Sequence, residues 1–459
     1  MKQIRRALLL AVCLLTALSI LSPAQASGKF AALPAALQVA VQSEERYEGD
    51  KTQYIYKEYL QTAHPKVDAD IRQTVDGMDK AYSPLLIPQA QSRAKLYNRL
   101  DIEMNYFRTG DSWLSTLIIA RNTHKKQQKD IAIVSRLYDM STGDIVPLTG
   151  IFSEGSAAWP LMLDRVSAHL DGLFPALERD SGAIAALQAM ESLRQAAFTL
   201  SGMELTLHYP LAPLFPGKTG LTHVRFFYPE FAGMMSPQAE KQTDNSRWKM
   251  VALTFDDGPR GESTEKTLNA LRQSGMRGTM FTVGKLYEDN MTRLHREYDA
   301  NHLIANHSWN HWNGHGLEPP ARLKQVQKVQ DFLLETLGEA PRYFRAPGGT
   351  YPPWIEVGTG LPLIQWSVDT YDFRGRSAQV ILTNIQKNIR EGDIILMHDT
   401  GDILNTAVAG IGEFLWNSGY MPVTVEELAL AQQVETKPDT VYFRFYQGDY
   451  SERRDSNTN

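Results

Sequence analysis

The second half of the chain alternates short apolar runs with helical patterns, and this alternation constrains the fold more than any other feature. Four apolar runs predict strands, at 251–255, 278–283, 363–367 and 393–397. Three helical patterns lie between or beside them, at 264–274, 321–337 and 378–390. Strands separated by helices pair in parallel, so the sequence predicts an α/β fold, either a barrel or an open doubly wound sheet. In both folds, chemical groups collect at the carboxyl ends of the strands.

The first half, from 27 to 235, has the pattern of a smaller α+β domain. Val67, Ile71, Val75 and Met78 recur at helical spacing, and runs at 100–107, 113–121 and 131–138 predict strands. Further patterns predict helices at 157–173 and 183–197 and a hairpin at 198–207. Histidines are scattered through this half, and no catalytic cluster is evident. The polar segment 236–249 reads as a linker, 250–433 as the second domain and 434–459 as a C-terminal tail.

The first 26 residues have the pattern of a secretory signal. Lys2, Arg5 and Arg6 precede an apolar run at 7–21, and Ala24-Gln25-Ala26 offers a small-residue cleavage site. An uncleaved membrane anchor is the competing interpretation. Cleavage predicts a periplasmic, wall-associated or secreted protein and removes Cys13, the one cysteine of the 459 residues. Any catalytic chemistry must then come from other side chains or a metal, and the net charge of −5 argues against a nucleic-acid partner.

Two pairs of residues indicate a metal site at the strand ends. His307 and His311 are four residues apart, and on a helical turn both imidazoles would face one side, as a metal requires. Asp256 and Asp257 directly follow the predicted strand 251–255. One carboxylate can complete a His₂Asp ligand set with a position left open, while the other stays unligated as a general base. A plain Asp-Gly turn is the alternative for the aspartates.

Further polar groups follow other predicted strands. Arg345 precedes a Pro-Gly-Gly segment, Asp369 follows the run 363–367, and His398 ends the run 393–397. Each has an ordinary alternative: a surface ion pair, a helix cap and a loop histidine, respectively. Together they predict one site at the carboxyl edge of the sheet, because parallel strands bring such positions to a common edge.

These motifs, taken in order, resemble the five motifs of polysaccharide deacetylases with a NodB-homology domain. The resemblance runs from about 250 to 430. It implies a distorted (β/α) barrel that hydrolyses N-acetyl groups of glycan sugars, with zinc or another divalent transition metal such as cobalt. It implies that Asp257, His307 and His311 ligate the metal. It also implies Asp256 as general base paired with Arg345, and His398 as general acid oriented by Asp369.

The same resemblance implies a sugar-binding surface. Leu396 and Phe373 would line the acetyl pocket, and a backbone N–H near Gly348 would stabilise the oxyanion. Tyr371 and Trp309 could stack on sugar rings. Two positions depart from the family pattern, which often has an aromatic residue at position 348 and tryptophan at position 373. These departures bear on substrate preference.

The first half also resembles a known domain, on the motif Leu137-Tyr138-Asp139-Met140-Ser141-Thr142-Gly143-Asp144 followed by Leu148 and Ile151-Phe152. Similar extracytoplasmic domains lie beside some peptidoglycan deacetylases and in lysozyme-sensing anti-sigma factors. The resemblance implies peptidoglycan N-acetylglucosamine or N-acetylmuramic acid as substrate, with lysozyme or wall glycan as a partner of the first domain. A chitooligosaccharide deacetylase and an acetylxylan esterase are alternatives of the same mechanism. A catalytically inactive wall- or lysozyme-binding sensor is an alternative of another class.

Overall fold

The computed structural model describes residues 33–48, 53–85, 98–124, 127–399, 402–447 and 449–451. The predicted signal segment lies outside these residues. Within them, no helix combines the length and apolar character that a membrane crossing needs.

A six-stranded sheet forms the first part of the chain. Its strands, in sheet order, are β1 (Ala40–Glu48), β2 (Gln53–Gln61), β3 (Asn98–Thr109), β4 (Trp113–His124), β5 (Gln127–Asp139) and β6 (Asp144–Ile145). Helix α1 (Pro65–Tyr82) connects β2 to β3, which pair in parallel, while the other pairs are antiparallel. The helix forms because Val67, Ile71, Val75 and Met78 recur on one face, and all four are buried as predicted.

A second layer of the first half follows β6. It contains helices α2 (Leu148–Ile151), α3 (Ala158–Gly172), α4 (Ser181–Leu187), α5 (Met190–Arg194) and α6 (Pro237–Thr243). Its antiparallel sheet consists of β7 (Ala197–Leu200), β8 (Glu204–Pro210) and β9 (Leu221–Phe227). The hairpin of β7 and β8 agrees with the prediction at 198–207. Serine hydroxyls of β4 and β5 accept the backbone N–H groups of Leu200 and Phe198, which fixes the small sheet on the larger one.

The second half contains the predicted alternation of strands and helices. Its strands are β10 (Lys249–Asp256), β11 (Thr279–Thr282), β12 (Leu303–Asn306), β13 (Leu363–Ile364), β14 (Val368–Asp369), β15 (Ile394–His398), β16 (Tyr420–Val423) and β17 (Val441–Tyr442). Its helices are α7 (Gly261–Ser274), α8 (Tyr287–Asp299), α9 (Pro319–Leu337), α10 (Pro352–Ile355), α11 (Ala378–Asn388), α12 (Asp402–Asn417) and α13 (Val425–Ala431). Strand pairs in this half are parallel, as the alternation predicts.

The parallel strands close into a distorted barrel. Strands β12, β11, β10, β15 and β14 pair in that order. At the β12 edge, Asn306 bridges Phe344, which in turn bridges Leu363 of β13. Because β13 and β14 are consecutive, residues 363–369 join the two edges of the sheet. The barrel implied by the resemblance is therefore confirmed, and it is distorted because short strands and isolated bridges close it.

Two predicted boundaries differ from the structure. Residues 236–249, interpreted as a linker, contain helix α6, in which Ser236 caps the helix and Ala239 and Gln242 are buried. A serine before proline is a good helix start, and this local signal outweighs the polar composition. Residues 434–459, interpreted as a separate tail, contain β17, which pairs with β13, and the fully buried Phe445. The tail thus belongs to the barrel domain.

Buried ion pairs join the two halves. Arg272 of α7 donates to Glu58 of β2 through Nε at 2.6 Å and Nη2 at 2.8 Å. Further ion pairs also cross the interface, among them Arg121–Asp299, Arg277–Glu204, Arg296–Glu103 and the partly exposed Arg225–Glu339. The side chains of Arg272 and Glu58 are 6% and 0% exposed, so neither charge can be solvated if its partner is lost.

Replacing Arg272 by alanine is expected to lower the free energy of unfolding by about 3–5 kcal/mol, because Glu58 would be left buried without its ionic partner. Chemical denaturation of the full chain measures this change. Lys66→Ala is the control, since the Lys66–Asp144 pair is more than 60% exposed on both sides and is expected to contribute about 0–1 kcal/mol. Equal losses for the two variants would show that the buried pair does not stabilise the interface.

Candidate active site

The carboxylates of Asp256 and Asp257 lie at the carboxyl end of β10. Successive side chains of a regular strand point to opposite faces, which would separate the two carboxylates. Asp257, however, has a φ of 75°, a conformation that aspartate tolerates better than most residues. This turn brings both carboxylates to the imidazole of His307, whose Nε2 lies 3.6 Å from Asp256 Oδ2 and 3.7 Å from Asp257 Oδ1.

His307 and His311 converge on a loop, and not on the helical turn that the spacing predicted. His307 follows β12 directly, and Ser308 and His311 have φ values of 66° and 61°, outside the helical range. Side chains hold the turn: Asn306 Oδ1 accepts the N–H of Ser308, and Ser308 Oγ accepts the N–H of His311. The two imidazole centroids lie 5.0 Å apart, so the predicted convergence occurs by a different backbone route.

Three of these groups form a candidate metal site. One ligand atom from each of Asp257, His307 and His311 lies within 4.8 Å of the other two. Asp257 Oδ1 is buried without a hydrogen-bond partner among the described residues and lies 3.0 Å from His311 Nε2. One carboxylate oxygen and two imidazole nitrogens suit a divalent transition metal. The residues present therefore fit a bound metal ion of this kind.

The protonation states of this cluster suit a metal. His307 Nδ1 lies 2.9 Å from the backbone oxygen of Arg345, which makes Nδ1 the donor and leaves Nε2 with a free lone pair. Burial lowers the pKa of His307, which keeps the imidazole neutral. Burial alone would raise the pKa of Asp257, but the imidazoles of His311 and His307 lower it overall, so this carboxyl group is ionised.

Arg345 holds Asp256 from the side opposite the imidazoles. The guanidinium is fully buried, and its Nη1 donates to Asp256 Oδ1 at 2.7 Å and lies 2.8 Å from Thr254 Oγ1. Its Nε and Nη2 donate to the backbone oxygens of Ile364 and Gln365. With one oxygen held by Arg345, Asp256 presents Oδ2 towards the candidate metal site.

The carboxylate that contacts His398 is Asp372, which corrects the role that the resemblance implied for Asp369. Asp372 Oδ1 lies 2.8 Å from His398 Nδ1, and Oδ2 accepts the backbone N–H of His398 at 2.7 Å. Asp369 instead accepts the N–H of Tyr371. Burial alone would lower the pKa of His398, but the Asp372 hydrogen bond and the nearby aspartates raise it to about 9. The imidazole is therefore cationic at neutral pH.

The predicted sugar-binding residues divide into two groups. Phe373 is 55% exposed with its ring 5.3 Å from that of His398, and Tyr371 is 41% exposed beside it. Both therefore border the site. Leu396 is buried within β15, and Gly348, with a φ of 64°, lies three residues beyond Arg345.

Trp309 occupies a different environment from the one predicted. Its ring packs against Tyr287 and Phe332 and lies under Lys328. A Cβ added at Gly284 would come within 2.3 Å of the ring, so the indole fills an internal contact. Trp309 was predicted to stack on a sugar ring, but the left-handed residues of the loop turn it inward.

Asp399, the residue directly after His398, also supports the site although the sequence analysis did not identify it. Its backbone N–H donates to the backbone oxygen of Asp256 at 2.8 Å. Its carboxylate accepts the hydroxyls of Ser263, Thr264 and Thr267 at the start of α7. Asp399 thus ties the end of β10 to the following helix. The adjacent residues Ser263 and Thr264 are the sequence signal that could have indicated a buried hydrogen-bond acceptor near the start of α7.

Comparison with known proteins agrees with this arrangement. The family model for polysaccharide deacetylase matches residues 243–356. A peptidoglycan-N-acetylglucosamine deacetylase of Bacillus cereus is 30% identical over 188 residues, which are 39% of this chain and 88% of that protein. The chain belongs to the polysaccharide deacetylase family.

Two other deacetylases match different shares of the chain. The peptidoglycan-N-acetylglucosamine deacetylase PgdA of Listeria monocytogenes is 26% identical over 316 residues, and this match spans 66% of each protein, just under two thirds. A match of that length exceeds residues 250–459 and therefore reaches into the first half. The solved structure of peptidoglycan deacetylase PdaC from Bacillus subtilis is 28% identical, with a TM-score of 0.39, and covers 40% of this chain and 92% of that one.

Proposed function

We propose that the chain is a metal-dependent hydrolase that removes N-acetyl groups from peptidoglycan, at N-acetylglucosamine or N-acetylmuramic acid. One observation carries the proposal: a His₂Asp cluster, a carboxylate held by a buried arginine and a cationic histidine meet at the strand ends of one barrel. The substrate follows from the relatives, several of which are named peptidoglycan deacetylases. An amide is a poor electrophile, so its hydrolysis needs an activated water, oxyanion stabilisation and protonation of the leaving amine.

Asp257, His307 and His311 would hold the metal, for which zinc suits the donor set best and cobalt is an alternative. A zinc ion supplies Lewis-acid chemistry, lowering the pKa of water to about 7 and polarising a carbonyl oxygen. Asp256 acts as general base through Oδ2, which faces the cluster. Arg345 keeps Oδ1 occupied and the carboxylate oriented, so the oxygen free to accept a proton is the one beside the attacking water.

The remaining groups act on the acetyl group and the leaving amine. A backbone N–H near Gly348 would stabilise the developing oxyanion. His398, kept cationic by Asp372, donates its proton to the amine as the C–N bond breaks. Phe373 and Tyr371 provide an apolar surface beside His398 for the sugar ring and the acetyl methyl.

We also infer that the chain is exported, because its proposed substrate lies outside the cytoplasm and residues 1–26 have the signal pattern. The first half would then act as an extracytoplasmic accessory domain, with wall glycan or lysozyme as the candidate partner.

Acetate release from defined substrates tests the function. The full chain, loaded with zinc, is incubated with purified peptidoglycan, chitin oligosaccharides and acetylxylan in parallel, and we expect the fastest release from peptidoglycan. Faster release from chitin oligosaccharides or acetylxylan would favour those alternatives. Binding to peptidoglycan without acetate release from any substrate would favour an inactive sensor.

The metal assignment gives a second prediction. His307→Ala is expected to weaken zinc binding by more than about 10²-fold, since loss of an outer contact alone costs about 10–100-fold. Equilibrium dialysis against zinc buffers, with metal analysis of the protein, measures the change. His315→Ala is the matched control, because His315 is exposed on the same loop and outside the cluster. Similar zinc affinity in both variants would contradict the assignment.

A further inference from the structure

Three exposed cations follow strands of the barrel at the edge that carries the proposed active site. Arg260 follows β10, Lys285 follows β11 and Arg374 follows β14. Because the carboxyl ends of parallel strands meet at one edge, the three side chains share that edge with the catalytic groups. We call them the cationic rim. Within the described part of the chain, none of the three makes an ion pair with a carboxylate.

Two cations of the rim are held by backbone oxygens of the candidate metal site. Arg260 Nε donates to the backbone oxygen of Asp257 at 2.8 Å. Lys285 Nζ donates to the backbone oxygen of Asn310 at 3.4 Å, in the loop between the two metal-site histidines. Each contact uses one N–H group of a side chain that has several. Both cations therefore keep donors for a ligand while they remain next to the metal site.

The third cation, Arg374, lies beside the proposed general acid. Its Cζ lies 4.8 Å and 5.4 Å from the ring centroids of Tyr371 and Phe373, and the Phe373 ring lies 5.3 Å from that of His398. Stacking engages the flat faces of a guanidinium and leaves the N–H groups at its edge free. Its charge opposes the burial that raises the pKa of Asp369, but it forms no ion pair with that carboxylate. Arg374 is thus one ring away from the group that would protonate the leaving amine.

The acidic side chains of this region are engaged elsewhere. Glu262, Glu288 and Asp289, at the starts of α7 and α8, line the cleft between the two halves, and none of the three rim cations lines that cleft. Carboxylates of the site itself have partners: Asp256 accepts from the buried arginine, and Asp372 pairs with the imidazole of the proposed acid. The charge of the cationic rim is therefore available to attract an anionic ligand to the site.

A carboxylate matches this rim better than a neutral sugar hydroxyl does. A guanidinium pairs with a carboxylate through two parallel, charge-assisted hydrogen bonds, which are stronger than neutral ones. Peptidoglycan offers such groups beside its N-acetyl groups. Its muramic acid carries a lactyl ether whose carboxyl group is either free or joined to a stem peptide, and the stem peptide has carboxylates of its own. Chitin oligosaccharides have the same N-acetylated sugars without any carboxylate.

We propose that the cationic rim, with Arg374 as its principal donor, binds a carboxylate of the glycan strand beside the acetyl group that reacts. The choice of ligand rests on the proposed function, because that function makes peptidoglycan the substrate. The rim would then select acidic, muramic-acid-containing glycan over neutral polymers of N-acetylglucosamine. Its contribution is to substrate selection, since Arg374 contacts the rings that border the site and not the proposed metal ligands.

Titration calorimetry of the full, zinc-loaded chain tests this preference, with Asp256→Asn as background so that the probes are not hydrolysed. One probe is the disaccharide of N-acetylglucosamine and N-acetylmuramic acid with a free lactyl carboxylate, and another carries the stem dipeptide L-alanyl-D-glutamate. Each acid is compared with its uncharged methylamide. We expect at least one acid to bind about 10-fold more tightly than its methylamide, and Arg374→Gln to reduce this ratio to about 3-fold or less.

Arg390→Gln is the matched control, because Arg390 is exposed but precedes β15 at the end opposite His398. It removes the same charge and should leave the ratio unchanged. A preference for the lactyl acid or for the dipeptide acid identifies which carboxylate the rim binds. Equal binding of acids and methylamides, or equal loss of the ratio in both variants, would overturn the proposal. Because affinity is measured without turnover, absence of acetate release from the unmodified chain would be a separate result.

Discussion

Replacing Asp256 by asparagine is expected to lower kcat for N-acetyl hydrolysis by about 10²–10⁴-fold, the usual contribution of a general base. Asparagine keeps the shape of the side chain and an oxygen that can accept from Arg345, but it cannot take a proton from water. The buried guanidinium keeps its contacts to Thr254 and to two backbone oxygens, which favours retention of the fold. Steady-state acetate release measures the loss.

Metal content separates this effect from damage to the metal site. Asp256→Asn should bind zinc as the unmodified chain does, because the candidate ligands are Asp257, His307 and His311. Asp331→Asn, at an exposed position of α9, is a remote control that should retain full activity. A decrease in kcat of less than 10-fold in Asp256→Asn, with metal bound, would rule out the base assignment.

The architecture of the barrel could be predicted from the sequence because its strands are buried on both faces. Strands β10 and β15 contain continuous apolar runs, and each leads directly into a polar motif. Strands β1 and β2 could not be predicted in this way. They contain mixed charged and aromatic residues, such as Glu44, Glu45 and Tyr56, and β1 is an edge strand, where polar residues are favoured.

The composition of the site could be predicted, but its internal contacts depended on backbone turns. Asp369 and Asp372 are three residues apart, and the resemblance implied contact with His398 for Asp369 alone. Tyr371, with a φ of 53°, redirects the chain so that Asp372 faces His398. Left-handed residues likewise turn Trp309 into an internal contact. Conformations of this kind at ordinary residues have no clear signal in one sequence.

The interface between the halves could not be predicted either. Arg272 and Glu58 are separated by 214 residues, and a net charge of −5 carries no information about which charges pair. The buried pairs also explain why the segment 236–249 is no flexible spacer. With the two halves fixed to each other, the connection between them can be helical and packed.

Replacing His398 by glutamine is expected to lower kcat by about 10²–10⁴-fold, because the amine would leave without a proton donor. Asp372→Asn is the sharper test, since it keeps the acid and changes only its pKa. With Asp372 in place, the pKa of His398 is about 9, and the acid form persists below that pH. Without the carboxylate, the pKa should fall towards its ordinary value of about 6.5.

The pH profile of kcat therefore distinguishes the two aspartates near His398. The alkaline limb of this profile is the decrease in kcat as His398 loses its proton. In Asp372→Asn, the alkaline limb should move from near pH 9 to lower pH. If the pKa returned fully to about 6.5, the protonated fraction of His398 at pH 8 would fall from about 0.9 to about 0.03, so the expected loss is up to roughly 30-fold and largely disappears near pH 6. Asp369→Asn should leave the limb in place, because Asp369 makes its hydrogen bond to the N–H of Tyr371. A shifted limb in Asp369→Asn and none in Asp372→Asn would restore the role that the family resemblance implied for Asp369.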